Sequence, residues 1–349
     1  MVDAVSELMI GSFETGADLL LVLDLEPFVR PPALPHQTMT ISIGGVPFVQ
    51  AELTTPGRFG YRIPPELVKA GEKTVLVFDH PDADRPSDFS RTTDRRALAI
   101  SVSRAQVFRI SGAVDTAVSK GEGGIPASEL EQRVGKPPDE FVTDFESLGG
   151  NCEFGLAQRR CGAEPLSLLR FANTLLPNLL RGLDEGFVGL GELEDLGFRL
   201  EGRAKAEYII EERRYGLVYH TFRYKGEIDE AKFIESEGTR LKFLVRKFRE
   251  DLERGEKIFV CKRNVPLTEA EVMPVLAALN LSGENTLLWV VSADAAHPPG
   301  TVHWVMPGLL KGYIDRFAPM DNAHDLSLES WLELCANAWA LRKNLSKTT

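Results

Sequence analysis

The period of the apolar residues changes once along this chain, and that change constrains the fold more than any single motif. Up to about Ile110 the apolar residues alternate with polar ones or gather in short β-rich runs: Leu19 to Leu25, then Met39, Ile41 and Ile43, then Phe59 to Ile63, Thr74 to Phe78 and Ala97 to Ile110. Gly44-Gly45 stands between two such runs and predicts a two-residue hairpin, because both central positions of that turn need positive φ. Pro64-Pro65 and the polar stretch Asp82 to Asp94 separate further strands. Residues 1–110 are therefore expected to form an all-β sandwich.

From Ser111 to Glu140 the pattern gives way to a polar, Gly- and Pro-bearing stretch, read as a linker (residues 111–140) with one short helix around Ala127 to Val134. After Phe141 the period becomes helical. Thr239 is positioned to cap a helix whose Leu241, Leu244, Val245, Phe248 and Leu252 share one face. An apolar strand "KIFVCK" follows, then a helix from about Thr268 to Asn280, strands "TLLWVVS" and "TVHWVM", and a last helix carrying Trp331, Leu332, Cys335 and Trp339. Short apolar strands alternating with helices predict an α/β domain over residues 141–349 with a mostly parallel, covered sheet. The expected fold class is thus α+β in two domains, which suits 349 residues better than a single core does.

Charge and cysteine content narrow the function classes. A formal charge of -11 opposes general affinity for phosphate backbones or anionic lipid, so nucleic acid is not an expected partner. No run approaches membrane-spanning length without charge, and Met1 to Gly11 lacks a basic region, so a soluble, cytoplasmic chain without membrane insertion is expected. The four cysteines (Cys152, Cys161, Cys261 and Cys335) show no C-x-x-C spacing and read as free thiols, the last three as core. No metal or cofactor is expected. His80 with Asp82 and Asp84 lacks regular ligand spacing, and His297 and His303 read as loop and sheet residues.

The stretch with chemical character is "FESLGGNCEFGLAQRRCG". Asn151 is a good helix N-cap, which places Cys152 in a first helical turn, where unsatisfied N–H groups favour a thiolate and offer oxyanion donors at Gly150 to Glu153. Gly149 and Gly150 let the backbone approach a substrate closely. A nucleophile needs a base, and His220 in the strand-like "YGLVYHTFRY" is the first choice. The orienting third residue is open among Asn264, Asp294, Asp321 and Asn322.

In order along the chain, "SLGGNCEFGLAQRR", "YGLVYHTF", the basic helix "TRLKFLVRKF" and the strand "IFVCKRN" resemble a bacterial domain of unknown function described as papain-like cysteine peptidases, over about residues 141–339. The resemblance implies Cys152 as nucleophile, His220 as its base, and Arg263 or Asn264 in the polar position after the strand. This chain has "PLSLLRFAN" where that family commonly shows a Pro-Phe-Asp-Trp run. More weakly, residues 15–110 resemble a sandwich module of polysaccharide-associated bacterial proteins. That likeness implies a glycan or sugar-containing ligand, with Phe48, Phe59, Tyr61 and Phe89 as stacking candidates.

The leading expectation is a cysteine-dependent hydrolase or acyl transferase linked to surface polysaccharide. Its site would comprise Cys152, His220 and Asn264, with Gly149, Gly150, Asn151, Glu153 and Arg263 around the substrate. Three alternatives stand beside it. One is a non-catalytic carbohydrate- or partner-binding protein. Another is an SGNH-like esterase built on Ser147 with the D-x-x-H pair Asp321 and His324. The last is a glycan transferase. The basic residues Arg240, Lys242, Arg246, Lys247 and Arg249 offer either a solvated helix face or a site for an acidic sugar.

Overall fold

A computed structural model of the chain describes residues 5–14, 18–110, 118–119, 121, 123–202 and 205–345. Among them the fold is mixed, with eight helices and four sheets. Its residues group into two compact units, Met1–Ser111 with Thr268–Ala277, and Gly112–Leu267 with Ala278–Thr349.

The first unit holds two antiparallel sheets. One has the order Val5–Ser12, Lys73–Asp79, Gln37–Ile43, Val46–Leu53, and the other the order Gly57–Ile63, Leu19–Pro27, Ile100–Arg109. Alternate residues of these strands (Leu19, Leu21, Leu23, Met39, Ile41, Ile63, Leu76) meet in one dry cluster, as period-two patterning requires. Gly44 and Gly45 take φ of 57° and 82° and close the expected hairpin, with Ile43 opposite Val46. Residues Thr268–Ala277 also belong to this unit, and Ala270 packs on the same cluster. The helix that contains them (Glu269–Leu279) opens on Thr268, whose N–H and hydroxyl both donate to Glu271.

The second unit is built on a six-stranded sheet in the order Val118–Ser119, Val302–Met306, Leu309–Ile314, Thr286–Ser292, Ile258–Lys262, Phe145–Ser147. The last four strands run parallel, while Val302–Met306 and Val118–Ser119 add antiparallel. The sheet is therefore mixed, because "TVHWVM" and "LLKGYI" form a hairpin around Gly308 instead of a helical crossover. A second, fully antiparallel sheet (Ala172–Asn173, Leu217–Tyr224, Glu207–Glu212, Leu196–Glu201) accompanies it.

The helix expected to start at Thr239 runs instead from Glu230 to Arg254, capped by Asp229, whose carboxylate accepts the Ala231 and Lys232 N–H groups. Thr239 sits mid-helix and donates to the Glu235 carbonyl, a bond that satisfies a threonine hydroxyl without ending the helix. Its inward face is the expected one, with Leu241, Leu244, Val245, Phe248 and Leu252 buried. Of the stretch read as a linker, residues 111–117, 120 and 122 lie outside the described residues. Ile125, Leu130 and Val134 are part of the second unit's core, the last two on the short helix Ala127–Val134. No helix of the described residues is long and apolar enough to cross a membrane.

Candidate functional site

The strand Phe145–Ser147 ends under the loop Leu148 to Cys152, and the helix Glu153–Arg160 leaves that loop. Gly149 and Gly150 adopt φ of 76° and 104°, which turns the chain back sharply enough for a helix to follow. A Cβ on Gly150 would stand 2.4 Å from the Lys262 carbonyl oxygen, so the loop lies directly on the next strand's end. The N-cap is Cys152, one residue later than expected, and Asn151 just before it accepts the Glu153 N–H on its Oδ1 at 3.0 Å. That bond occupies the Glu153 amide, which is therefore no free oxyanion donor. Among the described residues the N–H groups of Gly150, Asn151 and Cys152 donate to no protein group.

Below the loop lies a buried polar network. The Glu153 carboxylate, wholly buried, pairs with the Lys262 ammonium and accepts the Trp331 indole N–H at 2.9 Å. Lys262 also donates to Asn264 Oδ1 at 2.6 Å, and Asn151 Nδ2 reaches the same oxygen at 3.1 Å. Asn264 Nδ2 donates to the Ala318 carbonyl. Asn264 thus braces loop and strand, and among the described residues no hydrogen bond joins it to His220. Arg263, the next residue in the same strand end, keeps its guanidinium nitrogens buried with no hydrogen-bond partner.

The Cys152 thiol is half-buried and donates weakly to the Phe171 carbonyl at 3.5 Å. Burial, followed by the negative charge of Glu207, pushes it up to about 11, against the pull of Arg159 and Lys262. The depressed thiol expected from a helix start is not found, because the thiol faces apolar groups and a carboxylate as well as the helix end.

His220 lies on the strand Leu217–Tyr224, as its alternating surroundings predict, and its Nδ1 is 3.1 Å from Glu207 Oε2. The two strands pair regularly from Glu212 opposite Leu217 to Ile209 opposite His220, then shift so that Glu207 faces Tyr224. Two extra residues bulge out, Phe222 takes a φ of 56°, and its N–H donates to the other Glu207 oxygen at 2.8 Å. One carboxylate therefore orients the imidazole and holds the strained backbone beside it. Phe222 stacks edge-on to Phe171 with centroids 5.2 Å apart, and the Arg159 guanidinium covers both rings. Cys152, Phe171, Phe222, His220, Glu207 and Arg159 form one connected cluster. Among the described residues no hydrogen bond joins Cys152 to His220.

Glu207 is the residue that sequence reasoning missed. A hairpin with its turn at Arg213 to Gly216 puts Glu207 diagonal to His220 on the same face of the sheet, and that register was readable from the two alternating strands. Beside His220 a small surface concavity is lined by Leu168, Phe171, Tyr219, Leu241 and Leu244, with Ser167 and Arg240 as its polar members.

The serine-based alternative is not assembled. Ser147 is buried and its hydroxyl accepts the Gly149 N–H at 3.2 Å, whereas Asp321 and His324 are exposed in a loop and make no bond to it. Asp294, another orienter considered, pairs with His297 on the surface at 2.9 Å. Tyr61 is buried in the first unit's core, Phe48 and Phe59 are partly buried against it, and Phe89, also partly buried, lies edge-on to Phe28. The basic helix face is internally answered: Arg240 pairs with Glu237, Lys242 with Glu192, Lys247 with Asp251, and Arg249 donates to the Gly186 carbonyl. No group of three or more metal-ligating side chains is gathered among the described residues. Compared with known proteins, the chain matches no family model and no curated protein.

Proposed function

We propose that the chain is a two-domain cysteine-dependent acyl transferase or hydrolase in which Cys152 is the nucleophile, His220 its base and Glu207 the orienter. The observation that carries the reading is the Glu207 carboxylate on His220 Nδ1. A carboxylate there keeps the Nδ1 proton in place and leaves Nε2 as the acceptor, the tautomer a base must have. The resemblance of the Cys152 segment to papain-like cysteine peptidases points the same way.

In this mechanism Cys152 Sγ bonds to the substrate's acyl carbon while the thiol proton passes to His220 Nε2. The free N–H groups of Gly150 to Cys152 receive the charge that develops on the carbonyl oxygen. The tetrahedral adduct collapses by expelling the leaving group, which takes the proton from His220, and leaves a thioester on Cys152. Water, deprotonated by the same imidazole, then releases the acid and restores the thiol. A thiol that holds its proton at rest makes His220 a true base in the attack and not a partner in a standing ion pair.

The test is acylation by a p-nitrophenyl ester, with the modified residue located by mass spectrometry. The expected product is acyl-Cys152, formed at least ~100-fold more slowly in His220→Ala and in Glu207→Gln. Acylation that reaches Cys152 at an unchanged rate in both variants would overturn the reading.

A further inference from the structure

Two cations act on the Cys152 thiol, Arg159 and Lys262, and they are placed differently. Arg159 is partly exposed and tied to Glu164, whereas the Lys262 side chain is only 3% exposed. Its ammonium meets the wholly buried Glu153 carboxylate, Asn264 Oδ1 at 2.6 Å, and the face of the Phe317 ring, 4.7 Å from its centroid. An ammonium has three N–H bonds, and these three partners fix where its charge sits.

The same contacts reach both neighbours of Cys152. Glu153 follows it in the chain, and the Asn264 oxygen that takes a Lys262 proton also accepts Nδ2 of Asn151, which precedes it, at 3.1 Å. Lys262 therefore holds the backbone immediately before and immediately after the nucleophile. A buried ion pair is a costly way to pin a loop, because apolar residues of similar volume often do so at no loss of stability. What apolar residues cannot supply is a positive charge, and in a dry place that charge is screened by neither water nor salt.

We propose that Lys262 is a positioning residue for the nucleophile: it grips Glu153 directly and Asn151 through Asn264, and its cation favours the negative charge Cys152 takes on when its proton leaves for His220. The proposal rests on the reading of Cys152 as nucleophile. Glu153 has the opposing part, since it answers Lys262 at rest and weakens the cation's pull on the sulfur. The other charges around the pair are Arg263, which acts on Lys262, and Arg316, which acts on Glu153. Those two, with Glu207 and Arg159 beside the thiol, stay the same in every variant of the test.

The test is the rate of Cys152 alkylation by iodoacetamide at pH 9, located by mass spectrometry. Burial pushes the thiol up to about 11, so at that pH the rate follows a small thiolate fraction. Each pH unit by which the midpoint moves is then about a tenfold change in rate. Glu153→Gln, which can still accept the Trp331 N–H but carries no opposing charge, is expected to react about tenfold faster than the wild type. Glu153→Gln combined with Lys262→Met removes the cation without stranding a buried carboxylate, and should lose that gain. A loop that merely loosens would expose the thiol and leave both variants fast, so equal rates in the two would overturn the proposal. Lys262→Met alone carries the comparison if the double variant does not fold. It should react about tenfold more slowly than the wild type, and a rate at or above the wild type's would overturn the proposal. The nucleophile itself is judged by the p-nitrophenyl ester: a wild type that forms no acyl-Cys152 would overturn that reading and the role of Lys262 with it. Acyl-Cys152 together with equal alkylation rates would overturn the role of Lys262 alone.

Discussion

Cys152 holds its proton, and that single property separates this site from a standing thiolate–imidazolium pair. The thiol's ordinary value of 9.0 is pushed up to about 11 by burial first and by Glu207 second. The sign follows directly: a group whose folded value is raised binds its proton more tightly in the folded state. Its contribution to stability is whole below about pH 9 and is lost as pH rises through about 11. Stability of the wild type should therefore decline more steeply across that window than stability of Cys152→Ser, measured as denaturant midpoints at both ends. Alkylation of Cys152 should still be rising above pH 9. A labelling plateau near neutrality would show that the helix start wins over burial. At this scale the sequence was read well for placement and badly for environment. Asn151 bonds the Glu153 amide at the helix start, and His220 is on a strand, because both depend on neighbours a few residues away. The thiol's ionisation depends on Glu207 and Phe171, which no local pattern brings to it.

The element that decides the site is the loop between the strand Phe145–Ser147 and the helix Glu153–Arg160. Two glycines with positive φ are necessary there, but for Gly150 the need is double. An alanine would strain the backbone and drive its Cβ into the Lys262 carbonyl at 2.4 Å. Gly45 offers the control, since it has a φ of 82° and open space where a Cβ would go. Gly45→Ala should cost about 1 kcal/mol, the conformational term alone. Gly150→Ala should cost about 3 kcal/mol or more and weaken Cys152 acylation, because the loop must lift off the strand. Equal costs in chemical denaturation would mean that the loop yields without resistance. The bulge opposite Glu207 is the second deciding element. Its strand was legible from alternation, and its hairpin partner from the turn, but the two-residue shift was not. A bulge is chosen by side chains across the sheet, here a carboxylate that bonds both His220 and the Phe222 amide.

At the scale of the molecule, the chain enters its first unit, leaves it at Ser111, and returns to it at Thr268–Ala277. Within that unit Met273 and Pro274 lie against Gly60, where even a Cβ would collide with them. Residues 1–111 expressed alone should therefore expose the surface around Gly60 and Leu20, bind an apolar dye and unfold at low denaturant. The same chain joined through a Gly/Ser linker to residues 268–279 should be markedly more resistant. Equal midpoints would show that the returning segment adds nothing. The sequence by itself determined the change of period, the hairpin at Gly44-Gly45, the inward faces of the long helices, and the coming of a capped helix after two glycines. Each is set by periodicity and turn chemistry within a few residues. Only the tertiary structure decided that "TVHWVM" joins its sheet antiparallel, that a helix far along the chain packs with the first unit, and that Asn264 meets Lys262 and Asn151. Those outcomes turn on which surfaces bury one another across long separations, a competition that local spacing does not encode.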